Sequence, residues 1–530
     1  MAKKNSLQCP KCGSKAVSKG GQESSKDGKR GVQRYRCKPC KWNGTRPVGI
    51  EKIEAQGVDR KKAKALYAHV KRNYGRKRYV ITSAQNATPV NRPFLDTMLG
   101  YCRHRGAQLI VIPYRYKNPT SMWSARAKGD DWWAPELKPF LLDYRTRLNS
   151  NLMLLGDIKT QPTASSPLDG FASISGSDSA IIGHPKIALN TIPTPQSRLP
   201  KILTTTGAVT VKNYIPGKAG KKGEHHHSFG ATVAELNGKA FHLRQINAVR
   251  DGSFCDLDYE YRARERERAA IAALVMGDSH IKFIDPRVVQ ATFIGRNSMV
   301  RKLRPAQLVW HDAIDFYNRN HHHRGEPFIN YAKHHFGHGN VERELDEGFA
   351  FIDAHTPPSV TNVFAPSNHP DALARWVKEC DPRADPENAI FWAETFKVMC
   401  AKAEWTKTGA KTVDPFVYWA KKKLKCVDRC VFPSRDQSHM ILGIDCGYHG
   451  DKGANGGKGT LKSFANIGVK TVTAHGHAPG IDGGAYRVGT SSYYALEYAS
   501  GPSSWLHTHC AIYRNGKRSL LNTIDGEWFA

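Results

Sequence analysis

Five short apolar runs each end at residues that can bind a metal, and this recurrence constrains the fold more than any other feature of the chain. Ile271 to Met276 runs into Gly277 and then presents Asp278 and His280. Side chains two apart on an extended backbone point the same way, so this pair can grip one ion together. Gln307 to Trp310 leads into His311, Asp312 and Asp315, and Val363 to Ala365 leads into Ser367, Asn368 and His369. Met440 to Ile444 precedes His449, and Val469 to Thr473 precedes His475 and His477. Short apolar runs of this kind read as buried strands, and open α/β sheets place their sites at strand ends. Carboxylate, amide and imidazole groups suit Mn, Zn, Fe or Mg.

In order and spacing, these blocks resemble the calcineurin-like metallophosphoesterase superfamily, whose motifs run D-x-H, G-D-x-x-D, G-N-H-D/E, a single His, and G-H-x-H. The resemblance implies a four-layer α/β/β/α sandwich for residues 269–530. It also implies two divalent ions, with Mn²⁺ the first candidate and Mg²⁺, Fe²⁺ or Zn²⁺ also suited. Asp278, His280 and His477 would complete one metal, Asn368, His449 and His475 the other, and Asp312 would bridge them. His369 matches the family's histidine that protonates the leaving oxygen or holds the scissile phosphate, and Asp315 is read as orienting a ligand histidine. A phosphodiester is a poor electrophile, and two cations about 3.5–4 Å apart neutralise its charge and make water a competent nucleophile. The chain departs from the pattern where His311, Ser367 and Ala474 stand in place of glycines, and where Pro370 follows His369. No departure removes a ligand, but together they mark a divergent branch.

Two cysteine pairs carry a second metal signal. Cys9-Pro10-Lys11-Cys12 is answered by Cys37-Lys38-Pro39-Cys40 after 24 residues. Two C-x-x-C knuckles at such a spacing read as a zinc ribbon, because tetrahedral zinc takes two thiolates from each. Twelve cysteines in 530 residues fit reduced thiols and metal ligation better than a disulfide scaffold.

The formal charge of +32 calls for a polyanionic partner, and DNA is the first candidate. Residues 1–78 hold 23 Lys and Arg against five Asp and Glu, more than half of the excess. Such an arm can release counterions from a phosphate backbone. The organisation expected is a ribbon (1–50), a basic helix or linker (51–78), a small α/β unit with an irregular β-containing region (79–268), and the phosphoesterase-like domain (269–530). Within the second region, Tyr79–Thr82 and Leu109–Pro113 read as strands around a helix over 93–105. Leu137 to Leu148 and the charged run Arg262 to Arg268 read as helices, and His225–His227 as part of a loop. Residues 386–425 read as a helical insertion, a candidate cap over a substrate groove. No run approaches a membrane span, and Met1 to Ser6 lacks an apolar signal region, so a cytoplasmic protein is expected (in the host cell, if phage-encoded).

Together these features favour a two-metal DNA nuclease, similar to the recombination exonucleases of the SbcD type. More loosely, the layout resembles large phage early proteins that degrade host DNA or assist DNA transfer. A homo-oligomer, at least a dimer, is implied by the same resemblance. The competing readings are a small-molecule phosphatase or phosphodiesterase and a non-catalytic DNA-binding protein of a phage or mobile element.

Overall fold

The apolar runs become neighbouring strands. The structure is a computed structural model that describes residues 17–23, 32–39, 41, 43–44, 57–116, 132–497 and 499–529. It is a mixed α/β protein that separates into a small unit, with residues 1–57 and 129–132, and a large unit with the remainder. In the small unit, Val17–Glu23, Val32–Cys37 and Asn43–Gly44 form a three-stranded antiparallel sheet. The zinc-ribbon expectation lies outside the described residues at Cys9, Cys12 and Cys40; Cys37 closes the second strand and is buried.

In the large unit a six-stranded sheet runs Cys430–Val431, Thr361–Phe364, Gln307–Trp310, Ala273–Val275, Thr508–Ile512, Arg518–Asn522. Its first four strands are parallel and in register, with Ala273 opposite Gln307 and Gln307 opposite Thr361. The segments following them therefore leave from one edge. Alternation sorts their side chains between two cores. Leu274, Leu308, Trp310 and Phe364 point into a core with the helices Val341–His355, Asn368–Glu379, Ala389–Ala401 and Pro415–Lys423. Val275, Val309 and Val363 point the other way, into a core with Ile444, Val472, Ile481 and Tyr486 of a second sheet.

That second sheet has ten strands, and its middle unites distant stretches of chain. Gly480–Asp482 pairs with Ala188–Ile192, with Ile481 opposite Leu189. Five of its strands come from residues 145–205, which the sequence reading assigned to a separate irregular region. The division expected at 269 therefore runs through a shared sheet. These strands are only three to five residues long, too short for period-2 alternation to mark them.

The α/β unit at 79–114 forms, with Arg78–Gln85 parallel to Gln108–Tyr114 and the helix Arg92–Arg105 between them. Residues 60–72 are not a free linker. They form a helix capped by Asp59, whose carboxylate accepts from the Lys61 and Lys62 amides, and Ala63, Leu66 and Val70 line its buried face.

Four local expectations fail. Arg262–Arg268 belongs to a hairpin, not a helix: Tyr259–Arg262 pairs with Glu265–Arg268, and Arg266 and Arg268 lie over the Tyr259 ring at 4.9 and 5.4 Å. Strict Arg/Glu alternation is a strand's period. The helix expected over 137–148 is reduced to the turn Pro135–Leu137, since Pro139 removes a donor and blocks propagation. His225 and His226 lie on the short helix Lys218–His226 rather than in a loop. The insertion at 386–425 is no cap. Phe391, Phe416 and Trp419 are buried in the helical layer beside Phe349 and Trp376. Among the described residues, no helix is long and apolar enough to cross a membrane.

Candidate metal centre

Loops from both sheets meet at one edge and bring nine of the expected residues to one place. From the six-stranded sheet come Asp278 and His280, then Asp312 and Asp315, then Asn368 and His369 at the start of helix Asn368–Glu379. From the ten-stranded sheet come His449, after Ile444–Asp445, and His475 and His477, after Lys470–Thr473. Three sets of ligand atoms lie within 4.8 Å of one another: Asp278 with His280 and His477, His280 with Asp312 and His369, and Asp312 with His449 and His475. Asp312 stands in two of them.

The backbone is distorted where these groups converge. His280, Asp312, His475 and His477 have φ of 42°, 39°, 68° and 50°, the left-handed region that non-glycine residues avoid. Each such residue costs on the order of 1–3 kcal/mol and persists only where its surroundings over-determine it. Gly277 shows how tight the fit is, since a Cβ there would stand 2.9 Å from the backbone of Gly489 and Thr508. The Thr490 hydroxyl donates to the Asp278 carbonyl at 3.2 Å, and Arg487 Nε donates to Ala478 O at 2.7 Å, anchoring the loop that carries His475 and His477.

Ring orientations are set from behind. His280 Nδ1 donates to Asp315 Oδ1 at 2.8 Å, which aims Nε2 at His477 Nε2, 3.0 Å away. His369 Nδ1 donates to the Asp315 backbone carbonyl at 2.8 Å, leaving its Nε2 3.9 Å from Asp312 Oδ2. Asp315 thus orients two imidazoles, one by each of its oxygen types. His477 Nε2 lies 3.0 Å from Asp278 Oδ2, and His449 Nε2 lies 3.0 Å from Asp312 Oδ2.

Electrostatics favour ionised carboxylates. Burial pushes the Asp278 carboxyl up, but His449 and His477 outweigh it and hold it at about 2. Burial likewise opposes ionisation of Asp312, and His449 and His369 drive it well below the usual range. His280 is opposed by burial yet raised to about 9 by Asp315, whereas burial lowers His475 and His477.

The residues could hold a metal ion. Asp278 Oδ1 and Asp312 Oδ1 are buried without a hydrogen-bond partner, and the close contacts of His477 Nε2 with Asp278 Oδ2 and of His449 Nε2 with Asp312 Oδ2 lack hydrogen-bond geometry. Buried polar atoms left so are rare, and ligation of an ion is one arrangement that would satisfy them. Asn368 faces the same cavity of about 520 Å³, together with Asp312, His369, His475 and His477.

Sequence reading missed Trp505 and Glu497 as parts of this cavity. Trp505 packs edge-on against His477 at 4.2 Å between ring centres, and Glu497 and His323 line the cavity mouth, joined by a 2.6 Å ion pair. His311 is buried with Nδ1 3.4 Å from His449 Nδ1, and burial lowers it to about 4. His509 is a satisfied sheet histidine, accepting from the Gly277 amide at 2.9 Å and meeting Thr292 Oγ1 at 2.9 Å.

Comparison with known proteins finds one relative spanning most of the chain. The chain is similar to Protein A1 of Escherichia phage T5. The two are 29% identical over 476 residues, which cover 86% of this chain and 83% of that protein. No family model and no solved structure matches the chain.

Proposed function

We propose that the chain is a two-metal phosphodiesterase that hydrolyses DNA, a divergent branch of the calcineurin-like metallophosphoesterases. The observation that carries this reading is the convergence of three overlapping ligand clusters: Asp278 with His280 and His477, His280 with Asp312 and His369, and Asp312 with His449 and His475. Two divalent ions, Mn²⁺ foremost, held by Asp278, His280 and His477 and by Asn368, His449 and His475 with Asp312 between them, would neutralise the phosphoryl charge and activate water. His369 is about one-fifth exposed, and its Nε2 opens on the cavity, where it can pass a proton to a leaving oxygen. Asp315 holds His280 and His369 in the required tautomers.

The stacking of helices, six-stranded sheet and ten-stranded sheet is consistent with three layers of the α/β/β/α sandwich this reading entails. The short helix Leu461–Ala465 lies against Lys470–Thr473, Gly480–Asp482 and Ala485–Arg487 and would begin a fourth. The charge of +32 supports DNA as substrate, with the basic amino-terminal residues and a zinc ribbon as its grip and a homo-oligomer as the working assembly. The similarity to a phage protein fits action in the cytoplasm of a host cell.

A second reading has one observation in its favour. A cavity of about 520 Å³ is the size that encloses a small ligand, so a nucleotide phosphodiesterase is the alternative. Incubation with plasmid DNA and with a small chromogenic phosphodiester, each with Mn²⁺, separates the two. Cleavage of both supports the nuclease; cleavage of the small ester alone supports the alternative; inertness toward both rejects hydrolysis.

A further inference from the structure

A second cavity, of about 770 Å³, lies at the other ends of the strands that lead to His475 and His477. Lys470 opens the strand Lys470–Thr473 and lines this cavity, whereas His475 follows that strand's far end. The two sites are separated by five residues, no more than about 18 Å of chain. Turns at Gly468, Asp482 to Gly484 and Gly516 to Arg518 form the rim.

Its walls are one-sided in charge. Lys186, Lys222, Lys462, Lys470, Lys517 and Arg518 face it, against the single carboxylate of Asp482. That carboxylate is already taken by Lys186 at 2.7 Å. Arg518 is held by the carbonyls of Thr471 and Gly484 at 2.7 and 3.0 Å and lies 4.0 Å from the Tyr486 ring centre. Among the described residues, Lys222, Lys462, Lys470 and Lys517 have no carboxylate within ion-pair distance. Lys517 is half-buried, and its ammonium is disfavoured by burial and then by Lys470 and Arg518.

Gathering like charges in a concavity is unfavourable unless an anion completes it, and such a cleft focuses its field on an incoming anion. Ser165, Ser166, Ser228 and Asn247 add hydroxyl and amide groups suited to phosphate oxygens. We infer that this cavity binds the phosphate groups of a nucleotide or nucleic-acid strand, at a site separate from the metal centre.

The test uses the full chain with divalent metals removed, so that its outcome is independent of whether the chain hydrolyses phosphodiesters. Calorimetry with inorganic pyrophosphate, and anisotropy with a short labelled single-stranded oligodeoxynucleotide, are run on wild type and on K470Q/K517Q. K421Q/K422Q, which removes the same charge from the exposed face of the helix Pro415–Lys423, is the control. Pyrophosphate should bind K470Q/K517Q about tenfold more weakly, with the control within about twofold of wild type. A parallel loss with the oligodeoxynucleotide assigns the cavity to strands as well, and an unchanged oligodeoxynucleotide affinity assigns it to free phosphorylated ligands. Equal losses in both variants, no loss in K470Q/K517Q, or no pyrophosphate binding to wild type would overturn the inference.

Discussion

Two buried charged clusters in the large unit are built to opposite ends. Around Arg244, every carboxylate oxygen has a cationic partner. Glu235 receives Arg244 at 2.9 Å and Arg105 at 2.6 Å, and Asp256 receives Arg244 at 2.8 and 3.1 Å and the Tyr101 hydroxyl at 2.8 Å. Around Asp312, by contrast, imidazole and carboxylate atoms point at one another and buried oxygens stay unsatisfied. The first cluster is complete within the chain and contributes to folding. The second leaves buried atoms unsatisfied within the chain, and it retains left-handed backbone at His280, Asp312, His475 and His477. Burial and charge alone do not mark a functional site; incompleteness does.

The largest effect that would break this contrast comes from Asp312. D312N should abolish phosphodiester hydrolysis, a loss of about a thousandfold or more, while leaving DNA binding and thermal stability of the metal-free protein near wild type. Normal turnover by D312N would remove the centre proposed here. Next in size is R244M, which leaves the buried Asp256 without a cationic partner and removes one of those of Glu235. It should lower unfolding free energy by about 3–5 kcal/mol in denaturant titration, with hydrolysis by the folded fraction unchanged.

Metal addition separates the clusters more gently. Saturating Mn²⁺ at about a hundred times its dissociation constant should stabilise wild type by about 2.7 kcal/mol and D312N by far less, read as a shift in melting temperature. Acid acts on the other cluster. Burial opposes ionisation of Glu235, but Arg244 and Arg105 hold its carboxyl far below the ordinary value. A depressed acid contributes stability that is present above its unfolded value and lost as pH falls toward the folded one. The stability of E235Q should therefore fall less steeply than that of wild type below about pH 4.5. The smallest effect expected is for D315N, where His280 loses its carboxylate but keeps its place, at about 10–100-fold in metal affinity.

The same contrast explains what could be read from the sequence. The convergence of the candidate site residues is legible because they follow short apolar runs, so local spacing carries the information: Asp278 and His280 are two apart, as are His475 and His477. Trp505 and Glu497 are not legible, because they enter the cavity from loops with no strand signature before them. The Arg244 cluster was invisible for a related reason. Its members at 105, 235, 244 and 256 are joined by sheet pairing and helix packing that no local pattern encodes. The strands between 145 and 205 are hidden by their length, and the charge alternation of Arg262–Arg268 reads as a helix surface although it has a strand's period.

Crystals grown or soaked with Mn²⁺ and measured at the manganese absorption edge give the most direct view of the shared-carboxylate pair. Two anomalous peaks, both in contact with Asp312, one beside His280 and His477 and the other beside His449 and His475, are the result this account predicts. A single peak, or peaks away from Asp312, would contradict it.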